Sequence, residues 1–356
     1  MGILVGNKEW RRILAGTSRE DIRMYERAAG RHRIRLGYLR LKDISFLDGT
    51  VRLHEWADGG WRISREPIPK VIHNRAIYRK AGSIATLRRL RAHGIHVFNG
   101  WNRYDKMTIQ RLIARNGRLS RYLPETVPFG RNRLLRFMRR KDAFLVKPNR
   151  GSLGRGIIKL SKRSAGDWEV LRQNGRRRLI MPGEAVYPYL RARLRGAGHH
   201  LQELIPLMRV RGAPFDVRVY VQRNGRGAWQ VSGMFAKIMS GKRKYLSNVA
   251  QGGRAVPLEQ ALRRSGTGMS PGRVKARLRR VSLRLARYLS RKLPHLADVG
   301  FDFGITRSGN IRFIEMNSRD QRYGYKLAGL HAAYRRIYAN PIAYGSFLLN
   351  RAVRRR

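Results

Sequence analysis

Three side chains able to offer oxygen atoms to a cation lie in the stretch FDFGITRSGNIRFIEMNS, residues 301–318: Asp302, Glu315 and Asn317. The halves FDFGIT and NIRFIEMN read as a β-hairpin around RSGN. A Ser308-Gly309 loop sets Asp302 opposite Glu315, and a Gly309-Asn310 loop sets it opposite Asn317. Opposed residues share a face, and Glu315 and Asn317 share one by the period of two, so either loop gathers all three. Two facing carboxylates repel unless a counter-ion lies between them. An all-oxygen set with two anionic members suits a hard cation such as Mg²⁺, which usually also takes phosphate oxygens. An arginine clamp would answer the same repulsion. Acids are scarce here: from 201 onward they are Glu203, Asp216, Glu259, Asp298, Asp302, Glu315 and Asp320.

A second candidate is FLVKPNRGSLGRGIIKL, where an apolar strand ends on Lys147 and Gly151, Gly154 and Gly156 precede another strand. A glycine-rich turn lets backbone N–H groups cradle phosphate oxygens. No Gly-Lys-Ser/Thr closes it, so it is not a Walker A loop, and the β-like segment after Gly156 excludes a Rossmann fingerprint. An ordinary hairpin turn remains the plain alternative. Lys147 is less ordinary, because a lysine at the end of a buried strand calls for an anion.

The elements that must position these residues follow from periodicity and turn chemistry. The first hundred residues alternate strand and helix: GILVG and a polar turn, SREDIRMYERAAG capped by Ser18, RIRLGYLRL, a hairpin around ADGG, KVIHNRAIY, SIATLRRLRAHG ending on Gly94, then IHVFNG. That pattern predicts an open α/β domain over 1–100. Residues 101–200 read as helix YDKMTIQRLIARNG, helix RLLRFMRR, the Lys147 strand and its turn, then a polar hairpin-like stretch over 161–200 that includes a solvated loop at His199-His200. Beyond 200, LQELIPL is a strand and NGRG joins FDVRVYVQR to AWQVSGMFAKI. A helix begins at Ser270-Pro271 with Val274, Leu278, Val281, Leu285 and Tyr288 on one face.

Composition bounds the rest. The 356 residues suggest two or three domains, and a hydrophobic fraction of 42% supports a packed core rather than a disordered polycation. No apolar run approaches the roughly 18–20 residues a membrane span needs. The N-terminal stretch lacks the pattern of a secretory signal. The absence of cysteine excludes disulfides, thiolate zinc sites and a cysteine nucleophile, and the reading is a cytoplasmic protein. The formal net charge of +56 attracts polyanions. Arginine is spread along the chain, which fits either a compositional bias or a dedicated anionic partner. No helix-turn-helix, zinc-finger or RNP pattern is present, which argues against sequence-specific nucleic-acid binding.

DKMTIQRL…LPET, FLVKP, GSLGRG, LQELI, FDVRVYV and the D…E-M-N of the opening hairpin, in that order, resemble the ATP-grasp superfamily. VFNGWNRYDK, LPET, PFDVRVYVQRNGRGAWQVSGMFAKI, LSNVAQGGRAVPL and NPIAYGSFLL resemble its YheC/YheD-like, endospore coat-associated group over roughly 70–350. The resemblance implies an α/β chain of α+β lobes. These are an N-terminal pre-ATP-grasp-like domain (1–100), a first ATP-grasp lobe with the phosphate loop (101–200) and a C-terminal lobe with the Mg²⁺ site (201–356). It implies that Lys106 and Lys147 contact ATP phosphates, under a loop of Gly151, Ser152, Leu153, Gly154, Arg155 and Gly156. Glu203 would face adenine or ribose, and the backbone at Leu204 and Ile205 would read the adenine edge. Asp302, Glu315 and Asn317 would hold Mg²⁺, while Arg218 and Lys237 would stabilise the transferring phosphoryl or acyl-phosphate oxygens. SNVAQGG would line the substrate site through Asn248, Gly252 and Gly253. The implied activity is ATP- and Mg²⁺-dependent joining of a carboxylate to an amine, with a link to the spore coat. Two alternatives stand beside it: a non-catalytic basic coat protein that binds anionic polymers, and a nucleic-acid-binding protein. Two departures from the family pattern bear on the acceptor side: Lys237 where relatives often carry Arg, and SRDQR after Asn317.

Overall fold

The computed structural model describes residues 1–151, 154–163, 166–172, 176–194, 198–239 and 252–353. Its strands form three sheets. The first contains β1 (Gly2–Leu4), β2 (Gly37–Leu39), β3 (Ile44–Ser45), β4 (Thr50–Ala57), β5 (Gly60–Pro67), β6 (Val71–Asn74) and β7 (His96–Phe98), in the order β3-β4-β2-β1-β6-β7 with β5 on β4. Its centre is parallel, through β2-β1-β6-β7, as the alternating strand–helix pattern predicts. The β4–β5 hairpin turns at Asp58-Gly59, both at positive φ.

The second sheet contains β8 (Thr126–Pro128), β9 (Ala143–Pro148), β10 (Ile158–Lys162), β11 (Asp167–Arg172), β12 (Arg177–Pro182) and β13 (His199–Glu203), ordered β12-β11-β10-β9-β13-β8. The third contains β14 (Arg209–Val210), β15 (Ala213–Arg223), β16 (Trp229–Ile238), β17 (Arg254–Pro257), β18 (Asp298–Ile305) and β19 (Ile311–Asn317), ordered β17-β16-β15-β18-β19 with β14 on β15. The strand of LQELI therefore pairs with the middle sheet, on β9 and β8. The helix Lys106–Ala114 goes the other way: its Ile109 and Ile113 join the core of the third sheet.

That core is closed by the helix Pro271–Lys292. Ser270 caps it by accepting from Arg273 N, Pro271 opens it, and Val274, Leu278, Val281 and Leu285 are buried as their spacing predicts. The helix His331–Val353 runs back to the N-terminal lobe, packing Ile337, Tyr338 and Ile342 against Tyr25 and Ala28 of the helix Ile22–Arg31.

Four local readings differ from the structure. The segment after GILVG is the helix Asn7–Leu14, with Trp10 and Ile13 buried. Its single apolar face is too short to stand out between charged residues. The N-cap of Ile22–Arg31 is Asp21, which accepts from Met24 N, whereas Ser18 bonds Glu9. The stretch 161–200 includes the helix Gly183–Arg193 after the β11–β12 hairpin. His199 and His200 open β13 rather than forming a loop, and His200 is fully buried.

Candidate functional site

The β18–β19 hairpin turns through a three-residue loop, Arg307–Gly309, where Thr306 N donates to Asn310 O at 2.9 Å and Gly309 takes φ +79°. Neither two-residue loop forms. Left regular, this register would face Asp302 with Ile314 and turn Glu315 to the core side with Phe313. A β-bulge between Asp302 and Phe303 prevents that: Phe303 pairs with Phe313, Asp302 with Glu315 and Gly300 with Asn317. The extra residue, Ile314, switches the parity of the strand, so Phe313 packs inward and Glu315 and Asn317 join Asp302 on the cleft side. Asn317 Nδ2 donates to Glu315 Oε1 at 3.3 Å and to Asp302 Oδ2 at 3.5 Å, which shows the three head groups converging.

Cations surround this set. Arg218, opposite Asp302 on the neighbouring strand β15, binds Asp302 with two nitrogens, Nη2 at 2.9 Å from Oδ2. Lys237 Nζ lies 2.9 Å from Asp302 and 3.1 Å from Asp216, and Lys106 Nζ lies 3.2 Å from Glu315. Burial opposes the ionisation of Asp302, yet Arg218 and Lys237 outweigh it and hold the carboxyl well below its usual range. Burial likewise opposes Glu315, and Lys106 leads the charges that keep its pKa lowered. Burial also works against the charge on Lys237, and Asp216 and Asp302 keep its pKa raised. Both readings of the hairpin thus meet here: the arginine clamp exists, and the two carboxylates and the Asn317 amide still gather on one face, with Nδ2 turned to the carboxylates.

Lys147 is different. It lies buried near the end of β9, its Nζ bonds the Gln202 side-chain carbonyl oxygen, and it has no carboxylate partner among the described residues. Burial, then the charge of Lys106, lowers its pKa to about 8. Gln202 escaped the sequence reading, although the period of two along β13 puts it on the face of His200, which pairs with Lys147. His200 in turn bonds Asn149 Oδ1 at 2.8 Å.

These side chains line one cleft of about 1550 Å³ between the middle and third sheets. Lys106, Lys147, Gly151, Gly154, Arg155, Gly156, Arg218, Lys237, Asp302, Glu315 and Asn317 all border it. The glycine-rich turn joins the antiparallel pair β9–β10, with Gly154 and Gly156 at positive φ. Ser152, Leu153 and Asn248 lie outside the described residues. Glu203, Leu204 and Ile205 do not border the cleft: Glu203 pairs with Lys141 at 3.2 Å, Leu204 packs with Leu145 and Ile157, and Ile205 lies over Gly304. Gly252 and Gly253 are likewise absent from its wall.

The SRDQR segment is a wall of ionic contacts that the sequence did not disclose. Asp320 accepts from Arg218 Nη1, and Arg319 donates to Arg75 O. Arg322 is fully buried and bonds Asp298 at 3.0 Å.

A family description of YheC/D-like ATP-grasp proteins matches residues 94–348 of the chain. The chain belongs to the YheC/D-like ATP-grasp family. It is 24% identical over 322 residues to the endospore coat-associated protein YheD of Bacillus subtilis (strain 168), covering 87% of this chain and 70% of the relative. It is 21% identical over 302 residues to the endospore coat-associated protein YheC of the same strain, covering 80% and 81%. Among solved structures its fold is similar to D-cycloserine synthetase DcsG, at TM-score 0.56 and 13% identity, with 98% of each chain covered. It is also similar to D-alanyl-alanine synthetase A from Vibrio cholerae O1 biovar eltor str. N16961, at 0.55 and 12%, covering 99% and 98%. The ATP-grasp ligase PsnB, complexed with minimal precursor, Mg and ADP, aligns at 0.51 and 15%, with 98% of each chain covered. These likenesses establish an ATP-grasp fold in the mixed α/β class. Among the described residues, no helix is long and apolar enough to cross a membrane.

Proposed function

We propose that this YheC/D-like protein is an ATP- and Mg²⁺-dependent ligase that joins a carboxylate to an amine through an acyl phosphate. The observation that carries the reading is Lys147, a buried cation without a carboxylate, across one cleft from two carboxylates and an amide. A phosphate chain fits between them, bonded by Lys147 and Lys106 on one side and reached through metal on the other. Asp302, Glu315 and the amide oxygen of Asn317 fit Mg²⁺ by donor chemistry. They are hard donors on one face, and the Asn317 amide would hold the ion by turning its oxygen inward in place of the Nδ2 that now faces the carboxylates. Mg²⁺ held there would supply positive charge that offsets the charge of the phosphates. The protein's own share is positioning and electrostatics. A substrate carboxylate oxygen attacks the γ-phosphorus and ADP leaves. The amine then attacks the acyl carbon, phosphate leaves, and the amine loses its proton. Arg218 and Lys237, held by Asp302, Asp216 and Asp320, present fixed positive charge to those oxygens. Gly151, Gly154 and Gly156 border the cleft where the phosphates would lie, and Glu203 with the backbone at Leu204 and Ile205 would take the adenine side.

The names of both relatives support a place at the spore coat, and with the +56 charge they favour a second reading in which the nucleotide site is silent and the protein binds anionic coat polymers. Thermal stability separates the two. Mg·ATP at about 100 times its Kd stabilises by about 2.7 kcal/mol. The ligase reading expects this for wild type, not with Mg·tripolyphosphate in moderate salt, and not for Glu315→Ala. Equal responses to both anions in both proteins would sink it and leave the polymer-binding reading.

A further inference from the structure

Three arginines outside the nucleotide set line the cleft from neighbouring backbone segments. Arg79 follows β6, Arg103 follows β7, and Arg150 leads from β9 into the glycine-rich turn; all three border the same space. Their backbones are tied together. Asn74 Nδ2 donates to Gly100 O at 3.0 Å, Asn102 Nδ2 donates to Ala76 O at 2.7 Å, and Lys106 N donates to Asn149 O at 3.1 Å. Two of the three guanidinium groups lack a counter-ion: Arg79 and Arg103 have no hydrogen bond or ion pair among the described residues, while Arg150 makes a long ion pair with Asp105 at 3.8 Å. Partial burial, then Arg79 and Arg150, lowers the pKa of Arg103, so Arg103 feels the charge of both. Gathered like charges are costly unless an anion is to lie among them. The cleft's own acids do not serve, since Asp216, Asp302, Glu315 and Asp320 each already hold a cation.

We propose that Arg79, Arg103 and Arg150 form a subsite for an acidic, multi-carboxylate substrate of oligoglutamate or oligoaspartate type, whose reacting carboxylate reaches into the cleft. The proposal rests on the ligase reading, which requires a carboxylate at the reaction centre and leaves neighbouring carboxylates to the three arginines. Guanidinium forks pair with carboxylates bidentately. A single-stranded nucleic acid would also need free aromatic faces for its bases. The rings bordering the cleft are engaged: Arg19 covers Tyr323 at 4.5 Å, and Tyr104, Phe235 and Phe313 pack into hydrophobic cores.

The test is fluorescence anisotropy of a labelled oligoglutamate peptide on the full chain at moderate salt. Wild type is compared with R79Q/R103Q/R150Q and with R280Q/R284Q/R287Q, the latter on the exposed face of the helix Pro271–Lys292. The subsite predicts a roughly tenfold to hundredfold weaker complex for the cleft variant and less than about a twofold change for the helix variant. Equal losses in both variants, or none in either, overturn it. So does an oligothymidylate of equal charge that competes as well as unlabelled peptide. The Mg·ATP thermal shift, measured on the same proteins, reports separately on the ligase reading. The shift stays in the cleft variant if the variant is folded, and its absence from wild type counts against the ligase while the peptide comparison still judges the subsite.

Discussion

At the scale of residues, the cations and carboxylates of the candidate site pair with one another in the free protein. Asp302 and Glu315 already face Arg218, Lys237 and Lys106. Asp216 and Asp320 pair with Lys237 and Arg218 as well, so a dication entering alone must displace cations from carboxylates that are already paired, whereas a polyphosphate offers those cations another partner. Millimolar MgCl₂ without nucleotide is therefore expected to leave the melting temperature unchanged, and Mg·ATP to raise it; a rise with Mg²⁺ alone would refute this balance. Lys147 adds a pH dependence. Its pKa in the free protein, lowered to about 8 by burial and Lys106, must rise when phosphate binds, because an anion favours the charged form. Nucleotide binding thus takes up a proton as the pH passes 8, and affinity falls by up to about tenfold per pH unit above that value. Calorimetry in two buffers of different ionisation heat reads the proton directly. No uptake at pH ~9 would place Lys147 away from the phosphates.

At the scale of elements, close approaches replace side chains where the site needs room. Gly300 on β18 is such a place: a Cβ there would lie 2.9 Å from Asp320 Cγ and 3.2 Å from Arg218 Cδ. Gly300→Ala is expected to push Asp320 from Arg218 and destabilise by about 1–3 kcal/mol. Gly30→Ala, inside the helix Ile22–Arg31 with nothing within 4 Å, is expected to stabilise by about 0.5–1 kcal/mol. Urea denaturation of both variants checks the pair, and equal effects would deny the crowding at Gly300. The same strands show what the sequence could disclose. The hairpin of 301–317 and the helix from Ser270 were legible because turn residues, caps and periodicity are local signals. The convergence of Asp302, Glu315 and Asn317 was anticipated through the wrong loop, because a bulge at Ile314 leaves no composition mark. The pairings of Arg75, Arg319 and Arg322 were hidden for another reason. In a chain with 78 Lys and Arg, no single arginine stands out until the tertiary fold buries it.

At the scale of the molecule, one buried arginine ties the N-terminal lobe to the strand that carries Asp302. Arg322 bonds Asp298 at the start of β18, the hydroxyls of Tyr25 and Tyr220, and lies 4.5 Å over the ring of Tyr338. Asn99 reinforces the junction, its Nδ2 donating to the carbonyls of Asp298 and Ser318. The N-terminal lobe thereby holds both ends of the hairpin that carries Asp302, Glu315 and Asn317. Arg322→Met leaves Asp298 buried and uncompensated, and is expected to cost about 3–5 kcal/mol. His73 makes that loss depend on pH. Its Nε2 lies 3.4 Å from Asp298, and burial, with Arg322 and Arg75 opposing the pull of Asp298, lowers its pKa to about 4. Removing Arg322 removes one charge that opposes protonation, so the His73 pKa rises in the variant and the imidazolium can stand in beside Asp298. A raised folded-state pKa adds stability as the pH falls through it. The deficit of Arg322→Met relative to wild type should therefore shrink between pH ~7 and pH ~5, and His73→Phe in the same background should abolish the recovery. A deficit that stays constant across that range would mean that Asp298 is held by its backbone ties alone and that the junction is mechanical rather than electrostatic.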